Sequence, residues 1–257
     1  MPALTLPGAR VGDNRGMRVV SLVPSLTELV WGLAPGALVG RTRFCDAPAE
    51  MAAAVPAFGG TKDPDVAGIV RVQPDLVLAN REENRAEDVA ALREAGLEVL
   101  VTEIETVEEA LAAIAEIGRR LGAEAAAAAL VADVRAAAAE PPGAAEGVRV
   151  FVPIWRRPLL GLGGQTYGGD VLRVCGAVNV LADRPRYPEV TLEEVAALEP
   201  DIVLLPDEPY RFGEAHAAEF AGVAPARLVD GRWLWWYGPR MAESFRALRQ
   251  VLAEARA

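Results

Sequence analysis

The segment QPDLVLAN at positions 73–80 returns at 199–206 as EPDIVLLP. Both copies run Pro, Asp, a branched apolar pair, then Leu. A short continuous apolar run of this kind describes a strand buried on both faces, as in a parallel sheet covered by helices. The Pro ahead of each run stops a preceding helix, because the residue before Pro is pushed out of the helical region. A chain of 257 residues that writes helix, stop and strand twice is predicted to hold two copies of one α/β unit.

The flanking sequence supports this. RVVSLVP (18–24) is a strand, and Ser25 with Glu28 forms an S-x-x-E capping box that starts a helix with Leu29, Val30 and Leu33 on one face. ALVGRTRF (37–44) is a second strand, ending in the polar loop CDAPAE. DVAGIVRV (65–72) is a helix, LVLA (76–79) the third strand, RAEDVAALREAG (85–96) a helix closed by Gly96, and EVLVT (98–102) the fourth strand. Alternating strands and helices imply a parallel sheet with helices on its faces.

Thr106 and Glu109 form another capping box, opening a helix over 106–122. The Ala-rich stretch 123–143 carries Leu130, Val131 and Val134 at helical spacing and stops at Pro141-Pro142-Gly143. About 18 residues of such helix span roughly 27 Å, the length of a small lobe. The pattern then restarts. RVFVPIW (149–155) is a strand, 166–181 a helix and turn, 191–200 a capped helix, 201–206 a strand, 214–221 a helix, 226–238 a strand and turn, and the remainder a closing helix. The expected fold is α/β: two Rossmann-like lobes with parallel sheets joined by one long helix. Its expected divisions are 17–105 for the N-terminal lobe, 106–143 for the helical connector and 144–257 for the C-terminal lobe. Ligands of open α/β sheets bind outside the carboxyl ends of the strands, which two such lobes set on either side of one cleft.

Composition narrows the partners. Apolar residues make up 52 % of the chain, enough for a packed core. A net charge of −10 argues against nucleic acid or an anionic membrane, both of which need clustered Lys and Arg. Cys45 and Cys175 make neither a metal spacing nor a disulfide framework and are expected to be reduced thiols. No apolar run reaches the ~18 residues of a membrane span, so no membrane insertion is expected. The first 16 residues lack a basic region followed by an apolar one. As written the chain is expected in the cytoplasm, or outside it if a leader was removed or the start lies elsewhere. GLGGQTYGGD does not match G-x-G-x-x-G directly after a strand, so no nucleotide site is expected. His216, the single histidine, falls on a predicted surface helix and reads as solvated. No nucleophile–histidine arrangement emerges, so the chain reads as a non-enzyme requiring no cofactor or metal.

Two long blocks carry a resemblance. RVVSLVPSLTELVWGLAPGALVGRTRFCDAPAE and PAFGGTKDPDVAGIVRVQPDLVLA resemble the N-terminal lobe of the class III substrate-binding proteins of ABC importers, the Fe/cobalamin periplasmic-binding fold. LGGQTYGGDVLRVCGAVNVLADRPRYPEVTLEEVAALEPDIVLLPDEPY and WYGPRMAESFRAL resemble its C-terminal lobe, so the match covers about 17 to 255. Within the family the chain is most similar to the vitamin B12 (cobalamin) receptors. The resemblance implies a monomer with a rigid helix between its lobes, a small-molecule ligand that is a corrinoid, and delivery to an ABC permease.

A corrinoid is a large, flat macrocycle fringed by amides, so its site needs aromatic walls and a few amide or hydroxyl partners. An anionic ferric siderophore calls for Arg clusters instead. The strand-end candidates are Pro24, Ser25, Phe44, Asn80, Trp155, Tyr167, Tyr187, Trp236 and Arg240, with Tyr210 a weaker one. The resemblance places aromatic contacts at Phe44 and Tyr187. It has a tryptophan where this chain has Asn80. Asp46 reads as fixing its loop. Strand alternation would put Trp233 and Trp235 on one face and Trp236 on the other. The resemblance also implies one permease-docking carboxylate per lobe. Glu193 matches the C-terminal one. The N-terminal position is Ala67, with Asp63 and Asp65 nearby. Three readings follow: a corrinoid receptor of an importer, a cytoplasmic corrinoid or tetrapyrrole carrier or sensor, and a tetrapyrrole-processing enzyme, with haem or a ferric siderophore as other ligands.

Overall fold

A computed structural model of the chain describes residues 16–255. The first half runs β1 (Val19–Ser21), α1 (Pro24–Leu33), β2 (Leu38–Gly40), α2 (Ala49–Ala54), α3 (Val66–Val72), β3 (Leu76–Asn80), α4 (Ala86–Glu94) and β4 (Val99–Thr102). Two helices follow, α5 (Val107–Leu121) and α6 (Glu124–Ala139). The second half opens with β5 (Arg149–Phe151), β6 (Pro153–Trp155), β7 (Leu160–Gly161), α7 (Tyr167–Val174) and β8 (Val178–Asn179). It continues through α8 (Leu192–Ala197), β9 (Ile202–Pro206), α9 (Glu214–Ala217), β10 (Ala226–Val229), α10 (Arg232–Trp235) and α11 (Met241–Glu254).

Each half builds a four-stranded parallel sheet, ordered β2-β1-β3-β4 in one and β8-β5-β9-β10 in the other. The orders are equivalent, and the repeated segments, β3 and β9, each lie beside the first strand of their sheet. The repeated Pro-Asp has a physical task. The Asp75 carboxylate accepts the Arg18 backbone N–H at 2.9 Å, while the Asp75 N–H donates to the Arg18 carbonyl at 2.8 Å. Asp201 makes the same two bonds with Arg149, both at 2.8 Å. The arginine side chains then reach the carbonyls at the end of the preceding helix, Arg18 to Val72 and Arg149 to Leu198. Gln73 and Glu199, just before the two prolines, share a φ of 48°, the left-handed turn that takes the chain out of a helix. The repeated words therefore encode a clip that starts a strand beside its neighbour in register.

The helices between the halves form a hairpin. Thr106 and Glu109 make the predicted capping box, and Gly122, at φ 66°, ends α5. α5 touches α1 on one side and α7 on the other, so it is the helix that runs between the lobes. α6, which holds most of the Ala-rich stretch, lies against α5 and α11 instead. One core cluster passes through both halves and the hairpin, with Leu26, Ile114, Val134 and Phe245 all sealed from solvent. Smaller clusters back each sheet, Val20 with Val77 and Leu92, and Phe151 with Leu205 and Phe220. Arg249 is buried among helix ends. Its guanidinium donates to the carbonyls of Ala137 at 2.7 Å, Ala138 at 3.2 Å and Val174 at 3.0 Å, closing α6 and α7 together. Among the described residues no helix is long and apolar enough to cross a membrane.

Several local expectations change. The strand expected over 37–44 is only Leu38–Gly40, and α2 starts at Ala49 inside the expected CDAPAE loop. α1 begins at Pro24 behind Val23, with no side-chain cap, so Ser25 and Glu28 form no capping box. Pro at the first helical position is preorganised and needs no N–H partner, which sets the start one residue before Ser25. The segment 149–155 is two strands, β5 and β6, the latter pairing antiparallel with β7. The tryptophan-rich 232–235 is a helical turn, α10, because the Asp230 carboxylate accepts the Arg232 N–H at 3.0 Å.

Candidate ligand-binding cleft

The carboxyl ends of β1, β3 and β4 bring Ser25, Asn80 and Thr102 into one neighbourhood with Tyr237 from the opposite half. Tyr237 is buried, and burial pushes its phenol upward, opposed by hydrogen bonding to Thr102 and Ser25. Its ring meets Tyr167 edge-on at 5.6 Å. Tyr167 is itself buried at the start of α7, with its phenol raised by desolvation. Tyr167 and Tyr237 are therefore interior residues where the halves meet, and the contacts of Tyr237, inside the WLWWYG run, were not read from sequence. Pro24 is half-buried beside Ser25 at the first turn of α1.

Two candidates offer open aromatic surface. Phe44, four residues past β2, is 53 % exposed with the Arg43 guanidinium 4.9 Å from its ring. Trp155, at the end of β6, is 44 % exposed and meets Tyr210 edge-on at 5.4 Å. Tyr210 belongs to an aromatic group with Phe212 and His216. His216 is half-buried rather than freely solvated, because its Nδ1 accepts the Gly213 N–H at 2.9 Å and its ring packs on that group.

Three other candidates are already committed within the chain. Asn80 is buried. Its amide donates to the Thr102 carbonyl and hydroxyl, both at 3.1 Å, and accepts from the Glu82 and Glu83 N–H groups at 2.8 and 3.3 Å. That uses its two donors and two acceptor sites, so Asn80 shapes the loop and leaves nothing to offer a ligand. Trp236 is also buried, with the guanidinium of Arg240 5.3 Å and that of Arg232 6.0 Å from its ring. Arg240 is held by Glu28 through two bonds of 2.7 Å. Next to Trp236, burial lifts the Glu208 carboxyl to about 7, opposed by its hydrogen bond with the indole.

The halves also meet through charge. Arg186 reaches Glu82 and, at 3.0 Å, Glu105, and the Tyr187 phenol donates to Glu82 at 2.9 Å. Burial and the Glu82 charge push the Tyr187 phenol upward, so it remains a neutral donor. The Asp170 carboxylate of α7 accepts the Val107 N–H of α5 at 2.8 Å. None of these pairs was read from sequence. Further strand-end arginines are also paired: Arg43 with Asp63, Arg156 with Glu219 and Arg232 with Asp230.

Glu193 is exposed in the first turn of α8 and borders a groove of about 280 Å³ with Arg156, Leu159 and Glu219. Ala67 is exposed on α3. Of the acids near it, Asp63 is bound by Arg43, and Asp65 caps α3 by accepting the Gly68 N–H at 2.9 Å. Asp46 is exposed, with no role visible here. Both cysteines are buried free thiols, and burial pushes Cys175 up to about 12. Among the described residues no group of three metal-ligating side chains comes together.

Known proteins agree with this architecture. The vitamin B12-binding protein of Salmonella typhimurium is 32 % identical over 213 residues, covering 79 % of this chain and 76 % of its own. The periplasmic haem-binding protein of Roseiflexus sp. RS-1 superposes with a TM-score of 0.82 at 22 % identity, over 94 % of this chain and all of that one. The periplasmic vitamin B12-binding protein of Vibrio cholerae gives 0.76 at 21 % identity, over 94 % and 98 %. At these identities the two structures establish the fold. The periplasmic binding protein family model matches residues 19–210, three quarters of the length, and the chain is a member of that family, a substrate-binding protein and not an enzyme.

Proposed function

We propose that the protein binds a corrinoid between its lobes, as the substrate-binding component of an ABC importer. One observation carries the ligand class. The strand-end surfaces offered to the cleft are aromatic, Phe44 and Trp155, while Arg43, Arg156, Arg186 and Arg232 are paired with carboxylates of the same chain; Arg157 and Arg211 have no such partner among the described residues. A flat macrocycle with an amide fringe gains from aromatic surface and asks for no cations. A siderophore or haem, carrying anionic groups, would find the paired arginines occupied. The sequence similarity to a vitamin B12-binding protein of Salmonella typhimurium supports the same reading. Glu193 is the carboxylate for docking to a permease. The N-terminal lobe offers Ala67 in the equivalent place, so that lobe would dock through other contacts.

Calorimetric titration with cyanocobalamin and dicyanocobinamide, with haem and a ferric siderophore as controls, tests this. The expected result is saturable binding of both corrinoids alone, weakened about tenfold in Trp155→Ala through loss of stacking and buried area. Heat from haem only would assign a haem receptor, and heat from none of the four would remove the corrinoid assignment.

A further inference from the structure

Three loops at strand carboxyl ends converge on one guanidinium. Glu82 follows β3, Glu105 follows β4, and Arg186 lies between β8 and α8. Arg186 has a φ of 57°, the left-handed region that a non-glycine residue occupies only where its surroundings dictate it. Its backbone is pinned, with its N–H donating to Gly164 at 2.7 Å and its carbonyl accepting from Gly163 at 2.7 Å. Gly163 cannot carry a side chain there, since a Cβ would stand 2.3 Å from the Arg184 carbonyl oxygen. The side chain is thereby sent across to the other lobe, where it is shared between two carboxylates. Tyr187 supplies a neutral hydrogen bond to Glu82, and Lys62 donates to the Glu82 backbone carbonyl.

We infer that Glu82 and Glu105 set the charge selectivity of the cleft: by occupying Arg186 they turn away carboxylate-bearing ligands and leave the site to macrocycles with an uncharged rim. This deepens the ligand reading above and rests on the cleft being the ligand site. An entering carboxylate must displace one of the two glutamates from Arg186. The side chains involved are 35 to 41 % exposed, so solvent screens the effect to about a tenfold change in affinity.

The test compares dicyanocobinamide, which is uncharged, with haem, which carries two carboxylates, by tryptophan fluorescence quenching. The variants are Glu82→Gln/Glu105→Gln and the same pair with Arg186→Gln, each confirmed as folded by its thermal transition. The glutamine pair is expected to shift the haem-to-cobinamide affinity ratio about tenfold toward haem, and adding Arg186→Gln is expected to abolish the shift. A ratio unchanged within twofold overturns the inference, as does a shift that survives Arg186→Gln. If the parent protein fails to bind cobinamide, only the corrinoid reading falls. The gain in haem affinity, present or absent, then decides the charge inference alone.

Discussion

Glu28 on α1 and Arg240, the residue before α11, form a two-pronged ion pair, Nε to Oε2 and Nη2 to Oε1, each at 2.7 Å. The partners are 212 positions apart in sequence and join the two lobes. Their side chains are 13 % and 29 % exposed, so solvent weakens the pair less than it would a surface bridge. A double-mutant cycle with Glu28→Gln and Arg240→Gln, followed by urea denaturation, is expected to give a coupling of about 1–2 kcal/mol. A coupling near zero would mean that the apolar core alone holds the lobes.

Arg249 closes two helices at once. Arg249→Ala leaves the Ala137, Ala138 and Val174 carbonyls without their buried donor. Unpaired buried acceptors are costly, and the loss is expected to be about 3 kcal/mol in denaturant midpoint analysis, with an unchanged m-value. Arg249→Lys should recover only part of it, because one ammonium cannot reproduce the forked geometry.

The α5–α6 hairpin depends on a close approach. A Cβ at Gly118 would sit 2.2 Å from the Ala127 Cβ. Gly118→Val is expected to destabilise by about 2 kcal/mol, the scale of overpacking in a dense core. Adding Ala127→Gly should restore part of that loss, and thermal denaturation of the three proteins checks it.

Stability should also fall with rising pH through Glu208. Burial lifts its carboxyl to about 7, above the ordinary glutamate value, so between those limits the folded protein holds a proton that the unfolded chain has released. Its contribution is present in full at pH 4 and lost as pH rises through 7. The largest loss available is about 3 kcal/mol. Glu208→Gln should match the parent near pH 4.5 and exceed its melting temperature at pH 8. Parallel curves for the two proteins would show that Glu208 does not carry the slope.

Much of the architecture was legible in the sequence because it is written in local chemistry. Thr106 with Glu109 announced its helix and that capping box forms, and the capped helix expected over 191–200 opens with a second box, Thr191 with Glu194. β3 and β9 were legible as unbroken apolar runs. Local rules failed where two of them competed. At 24–28 the Pro outranked the Ser as the start of α1, which freed Glu28 for Arg240. At 232–235 the alternating tryptophans suggested a strand, but the Asp230 side chain turned the chain into a helix. Phe44 and Trp155 were legible as aromatics near strand ends, and both carry open surface. The pairing of Arg186 with Glu82 and Glu105 was not, since no sequence pattern links residues on separate loops of separate lobes. Asn80 was misjudged for a similar reason, its partners Thr102, Glu82 and Glu83 being visible only once the loops are folded.

The twin clips of Asp75 on Arg18 and Asp201 on Arg149 give the molecule an approximate internal symmetry. Both halves share the same strand order, while the loops at the strand ends differ, the second half carrying the β6–β7 pair. The aromatic side chains near the strand ends do not share that symmetry: Phe44 comes from one half, Trp155 and Tyr210 from the other. The frame and its decoration are therefore separable. The clips lie at the amino ends of their strands, away from the loops at the carboxyl ends, so the loops of one half can be rewritten without disturbing either sheet. A site assembled in this way can change its ligand by editing one wall at a time.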